Sequence, residues 1–153
     1  MEVKIKKLHK DATIPKQATE FAGGWDVTAT EIEQVEEDLV ICKLGFALQL
    51  PKNYRLILVP RSSITKTKWI IQNSPGLGDC DFIQEYQLRF RALPQELITY
   101  QNGGSSIVYP EFPFKVGERI GQVYLEEVIA IEFEEVEEFD FENNRGGYGS
   151  TGI

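Results

Sequence analysis

Four short polar clusters interrupt an apolar-rich chain and carry the residue types that phosphate chemistry needs. The stretch PRSSITK, residues 60 to 66, places Arg61, Ser62 and Ser63 directly after a proline. One fixed positive charge, two hydroxyls and newly freed backbone N–H groups suit phosphate oxygens. The guanidinium offers a charge-assisted fork, and hydroxyl and amide donors fill the remaining positions. A surface loop has the same composition. NSPGLGDCDF, residues 73 to 82, sets Asp79 and Asp81 around Cys80 in a glycine-bounded turn. Residues i and i+2 of an extended segment share a face. The pair therefore points to a shared cation, or to one ionised carboxylate orienting a water for in-line attack on phosphorus; a solvated Asx turn also fits. AGGWDVTA, residues 22 to 29, puts Asp26 behind two glycines, a pattern shared with ordinary strand-entry turns. GERIGQV, residues 117 to 123, brings Arg119 and Gln122 to the start of a strand, with Arg119 favoured as an ion-pair partner. No P-loop lysine motif, HExxH or GxGxxG occurs.

Other chemistries have little support. His9 is the only histidine, so a Ser-His-Asp or Cys-His nucleophile lacks its base, and acid–base work falls to carboxylates. Cys42 and Cys80 stand far apart without a CxxC pairing, so no zinc site or disulfide framework is readable. A net charge of −8 argues against coating nucleic acid, which takes a basic face. It leaves room for one polyphosphate held by a few arginines, backbone N–H groups and a divalent cation. The start, MEVKIKKLHK, is basic without the apolar run of a signal peptide, and no stretch approaches membrane-spanning length. The expectation is a soluble protein of a reducing compartment.

The elements that must position these clusters are strands. With 153 residues, 42% of them hydrophobic, the chain suits one domain with a real core. Short β-branched and aromatic segments lie between Gly, Pro and Asn punctuation: EVKIKKL, LVICKLGFALQL, YRLILVP, EYQLRFRAL, SSIVYPEFPFKV and IGQVYLEEVIAIEFEEV. The pattern predicts an all-β sandwich, jelly roll or barrel. PQELITY allows one weak helical turn, residues 102 to 110 read as a loop tip, and VIAIEFEEV predicts a bulged strand. EEVEEFDFE predicts an edge strand with its charges in water. The last stretch, NNRGGYGSTGI, reads on composition alone as a loose end.

Taken in order with that tail, the clusters resemble the five motifs of the trimeric dUTP pyrophosphatases (dUTPases), and CKLGFALQLPKNYRLILVPRSS fits the text before their second motif. The resemblance runs from about Leu8 to the last residue. It implies a distorted jelly-roll domain over residues 1 to 142 and a glycine-rich arm over 143 to 153 that closes over a neighbouring subunit. The implied reaction is hydrolysis of dUTP to dUMP and pyrophosphate by water attack at the α-phosphorus, with Mg2+. Asp79 falls where the family holds the attacking water and contacts the deoxyribose 3′-OH. Phe82 falls on the ring that packs under the sugar and excludes a ribose 2′-OH. Arg61, Ser62, Ser63 and Gln122 fall on phosphate-binding positions, and Asn73 and Gly76 on the loop whose backbone reads uracil. Asp26 matches an aspartate linked to Mg2+ only through water, the triphosphate carrying the metal. In the arm, Tyr148 matches the ring that stacks on uracil, and Arg145, Ser150 and Thr151 match phosphate contacts. A homotrimer with shared active sites follows, with dUTP as ligand, no nucleic-acid or membrane partner, and a cytoplasmic location (host cytoplasm for a viral chain).

The chain also departs from the family pattern. Gly78 replaces the usual isoleucine, Phe82 the tyrosine, Gln84 a glycine and Gly121 an alanine; KTKWIIQN lacks its glycine. Arg145 stands two residues nearer the aromatic than usual, and an ungapped match puts Asn143 in its place. Residues 94 to 108 form a longer stretch, expected at the surface and a candidate protein contact. These differences fit a divergent, viral or phage-type member. One alternative is a dCTP deaminase or bifunctional enzyme, but Arg89 occupies the place of its glutamate and, always protonated, cannot act as a general base. Another is a non-catalytic dUTP-binding regulatory or interaction module.

Overall fold

The computed structural model describes residues 1–140. It is built of strands and loops with one 3₁₀ turn, Ser62–Lys66, and among the described residues it has no α-helix. No helix there is long and apolar enough to cross a membrane. The all-β prediction therefore holds.

The larger sheet has five antiparallel strands in the order β2 (Lys16–Gln17), β3 (Trp25–Thr28), β13 (Arg119–Glu127), β7 (Tyr54–Pro60) and β9 (Gly76–Gly78). The second sheet has four, in the order β4 (Glu31–Glu36), β5 (Leu39–Lys43), β10 (Gln87–Ala92) and β8 (Trp69–Ile71). Two further pairs are β1 (Lys4–Lys7) with β6 (Phe46–Gln49), and β11 (Glu96–Thr99) with β12 (Ser105–Val108). This is the jelly-roll sandwich that the strand pattern implied.

Period-two alternation builds the core. Along β10, Leu88, Phe90 and Ala92 are buried while Arg89 between them is exposed. They meet Val40, Cys42 and Phe46 from neighbouring strands, and Val27, Leu56, Leu58, Ile120 and Val123 from the five-stranded sheet. Each large side chain so buried contributes about 1.5–3 kcal/mol. The apolar run LVICKLGFALQL is cut into β5 and β6 at Gly45, whose φ is +71°. A Cβ there would stand 2.7 Å from Thr30 Oγ1, so space as well as backbone angle selects glycine.

Four expectations fail. PQELITY forms β11 rather than a helical turn, because Leu97 and Ile98 pair with Ile107 and Ser106 across a hairpin. The chain reverses through Gly103, whose φ is +82°, and the loop tip expected over residues 102 to 110 is shorter than that, since Ser105–Val108 form the returning strand β12. The strand predicted through VIAIEFEEV stops at Glu127. Its last partner, Tyr54, is the first residue of β7, and Val128 N–H donates once more to Asn53 O at 2.7 Å. Beyond that no strand remains to pair with. Residues 128–140 leave the sheet with Ile129, Phe133 and Phe139 exposed, so the edge strand expected there does not form among the described residues.

Candidate active site

Asp26 is the centre of a polar cluster. It is one of two buried polar residues among the described residues, only 7% exposed, and it pairs with Gln122 on the neighbouring strand. Its Oδ1 accepts from Gln122 Nε2 at 3.1 Å and faces Arg61 Nε at 3.2 Å; its Oδ2 accepts from Arg119 Nη1 at 2.9 Å. Arg61 also donates to Arg119 O at 3.4 Å. Three sequence clusters far apart in the chain thus meet at one carboxylate, and Arg119 is the ion-pair partner expected of it. Two cations on one buried anion leave the cluster positive, which suits a polyphosphate ligand.

The strand register explains the convergence. β13 pairs with both β3 and β7, setting Gly121 opposite Pro60 and Gln122 opposite Asp26. Gly121 packs closely here: a Cβ would press on the end of the Leu88 side chain and stand 3.1 Å from Val59 O. After Pro60 the chain enters the 3₁₀ turn, where Ile64 N–H donates to Arg61 O at 3.0 Å and Thr65 Oγ1 to Ser62 O at 2.8 Å. Ser62 is exposed. Ser63 Oγ is buried and has no hydrogen-bond partner, alone in this among the described residues. A buried hydroxyl without a partner costs free energy, and a ligand oxygen would relieve it.

The second cluster lies on the loops that flank β9, which join the two sheets. Asn73, before β9, ties its loop to β10: its Nδ2 donates to Gln87 O at 3.2 Å and its Oδ1 accepts from Arg89 N–H at 2.9 Å. Its side chain is thereby occupied within the fold. Gly76 fits closely, since a Cβ would stand 2.9 Å from Asn73 O and 3.3 Å from Leu58 Cβ. Beyond β9, Asp79 opens a turn closed by Phe82 N–H donating to Asp79 O at 3.1 Å. Phe82 is 40% exposed and meets Tyr86 edge to face, with ring centroids 5.1 Å apart.

Tyr86 was not singled out by sequence. Its ring is buried, and its pKa is pushed up to about 12 by burial and, secondarily, by the Asp79 charge. The available signal was Gly78, an odd glycine in a β-rich motif; a Cβ on Gly78 would lie 2.6 Å from Tyr86 Cε1.

One chain does not bring the two clusters together. Gly78 sits opposite Leu56 on β7, whereas Arg61 follows the far end of that strand. Five residues of strand separate them, about 16 Å at roughly 3.3 Å per residue. Arg145, Tyr148, Ser150 and Thr151, with the alternative Asn143, lie outside the described residues. Among the described residues no group of three His, Cys, Asp or Glu converges as a metal cage.

Comparison with known proteins places this arrangement. No family model matches the chain. It is 32% identical over 157 residues to the deoxyuridine 5'-triphosphate nucleotidohydrolase of Helicobacter pylori (strain Shi470), covering 100% of this chain and 98% of that one. The chain belongs to the dUTPase family. The dUTPase of Nautilia profundicola is 34% identical with 99% of each chain covered. Among solved structures, the dUTPase of Staphylococcus bacteriophage 80alpha with dUPNHPP superposes with a TM-score of 0.77 at 21% identity, over 99% of both chains. That of phage phi11 of S. aureus, with a structural Mg(II) ion, gives 0.71 at 17%, over 92% of this chain. At such identity these structures speak for the dUTPase fold.

Proposed function

We propose that this chain hydrolyses dUTP to dUMP and pyrophosphate, with the Asp26 cluster binding the phosphates and Asp79 holding the attacking water. The reaction rests on full-length kinship with named dUTP nucleotidohydrolases. The observation that carries the phosphate assignment is the buried Asp26 held by Arg61, Arg119 and Gln122 beside the unpartnered Ser63 hydroxyl.

Asp26 orients Arg61 through Nε, which leaves the outer guanidinium nitrogens to meet phosphate oxygens. Ser62 and Ser63 supply hydroxyls at the same turn. Charge developing on the leaving pyrophosphate is met by donors already fixed in place, so little reorganisation is needed in the transition state. Asp79, on its own turn, accepts a proton from water and aims the oxygen at the α-phosphorus. Phe82 packs under the deoxyribose and leaves no room for a 2′-OH.

The residues fit Mg2+ carried by the substrate rather than by the protein. A carboxylate has about four acceptor sites. Gln122 and Arg119 each donate to one, Arg61 Nε faces Oδ1 as an ion-pair partner, and Oδ2 keeps a site for a metal-bound water. When bound, the ion neutralises phosphate charge and helps align the reacting group.

The distance along β7 between the two clusters favours sites shared between subunits of a homotrimer, one chain giving Asp26 and Arg61 and another giving Asp79 and Phe82. The arm of residues 143–153, with Tyr148, Arg145, Ser150 and Thr151, would complete the site. Both cysteines are free thiols, in keeping with a reducing cytoplasm. The β11–β12 hairpin within residues 94–108 exposes Leu97, Tyr100 and Ile107, and it is the surface we assign to a protein partner.

A panel of dUTP, dCTP, UTP and dTTP with Mg2+, read for both pyrophosphate and ammonia, tests the activity. Pyrophosphate from dUTP alone is expected. Ammonia from dCTP would move the chain to the deaminases, and tight dUTP binding without turnover would make it a binding module.

A further inference from the structure

We propose that Tyr86 is a positioning residue that sets the Asp79–Phe82 turn, and that Gly78 is its required partner. The proposal rests on the assignment of Asp79 and Phe82 to catalysis and sugar recognition. The turn is short, with one internal hydrogen bond from Phe82 N–H to Asp79 O. Tyr86 touches both of its ends. Before the turn, the phenol tip lies against the Gly78 backbone: a Cβ there would meet Cε1 at 2.6 Å, the hydroxyl oxygen at 2.9 Å and Cζ at 3.1 Å. After the turn, the hydroxyl donates to Phe82 O at 3.3 Å and the ring edge meets the Phe82 ring.

Tyr86 is itself immobilised. It is 3% exposed, its N–H donates to Phe46 O, its carbonyl accepts from Leu44 N–H, and its ring stands 6.1 Å from that of Phe46. The ring cannot swing aside, so any atom added at Gly78 must displace the turn. Ordinary contact begins near 3.4 Å, so the displacement approaches an ångström. A shift of that size at a reacting group costs on the order of 100-fold in rate. The backbone of Gly78 and the ring of Tyr86 therefore act as one fitted pair. The turn delivers a carboxylate and a sugar-facing ring together, so both rate and sugar preference depend on it.

A double-mutant cycle tests this. In Gly78→Ala, kcat for dUTP should fall on the order of 100-fold, with affinity for a non-hydrolysable dUTP analogue changing little because the phosphate cluster is untouched. Tyr86→Val opens the space, so Gly78→Ala with Tyr86→Val should recover at least about tenfold in kcat over Gly78→Ala. Tyr86→Phe keeps the ring and the fold; losing one hydrogen bond to the turn should lower the dUTP-over-UTP preference roughly fivefold at unchanged Tm. Losses that simply multiply in the cycle, or an unchanged preference in Tyr86→Phe, would overturn the positioning role. Wild-type protein that releases no pyrophosphate would instead overturn the activity reading, and this proposal with it.

Discussion

The Asp26 cluster and the Asp79 turn solve opposite problems. Around Asp26, both carboxylate oxygens have a partner before any ligand arrives, and the residues come from β3, β13 and the end of β7, which are locked in register. Around Asp79 the carboxylate stands on a four-residue turn with one internal bond, propped from behind by an aromatic ring. In the proposed reaction the first region holds charge that must not move while phosphate charge redistributes. The second, on the same proposal, must leave one carboxylate free to bind a water. Fixed donors favour the transition state because they need no reorganisation, whereas a base works only if its oxygen is unspent.

The widest separation between the two regions should come from removing the Asp79 charge. Asp79→Asn is expected to lower turnover roughly 10²–10⁴-fold while a non-hydrolysable dUTP analogue still binds; pyrophosphate release beside calorimetric titration checks both. Near-normal turnover would move the base to Asp81. Asp26→Asn should behave differently, weakening binding and stability together. It leaves Arg61 and Arg119 without their shared anion, at a cost of about 2 kcal/mol once solvent around the more exposed Arg119 is allowed for. A fall in Tm along with analogue affinity is the expected signature, and loss of kcat alone would make the two regions alike.

Phe82→Ala probes the sugar side of the turn. It should relax rejection of UTP by roughly tenfold to 100-fold, read as the ratio of kcat/KM for dUTP and UTP, and an unchanged ratio would take that role from the ring. Alkaline pH bears on the fold itself. Burial raises the Tyr86 pKa from 10.0 to about 12 and the Cys42 pKa from 9.0 to about 12. Both groups are neutral when protonated, so the folded state holds their protons more tightly than the unfolded chain does. Their contribution is complete below pH 9 and is lost between pH 9 and 12, by up to about 3 kcal/mol for Tyr86 and about 4 kcal/mol for Cys42. Tm measured across that window should fall, less steeply at its upper end in Tyr86→Phe.

The same contrast governs what the sequence disclosed. The strands of the sandwich were readable because alternation in EYQLRFRAL reports burial directly, while the continuous apolar run in YRLILVP marks a strand buried at three successive residues. Arg61, Asp26 and Gln122 were readable as motif members, yet their meeting at one carboxylate was not, because cross-strand register is set by pairing over nearly 100 residues. Tyr86 escaped notice because it looks like any core aromatic; only the missing side chain at Gly78 marks it, and a gap means nothing until the atom that fills it is known. PQELITY misled because seven residues carry no reliable period. The end of β13 misled because alternation continued in Ile129, Ile131 and Phe133 after the partner strand had run out.

The length of β7 between the two clusters has a consequence in genetics. If each site is shared between subunits, as proposed, an allele lacking Arg61 and an allele lacking Asp79 damage different halves of it. Neither makes a working site alone, yet chains from both, assembled together, give some sites with both halves intact. Two null alleles of this gene should therefore complement each other, while two alleles within the Asp26 cluster should not.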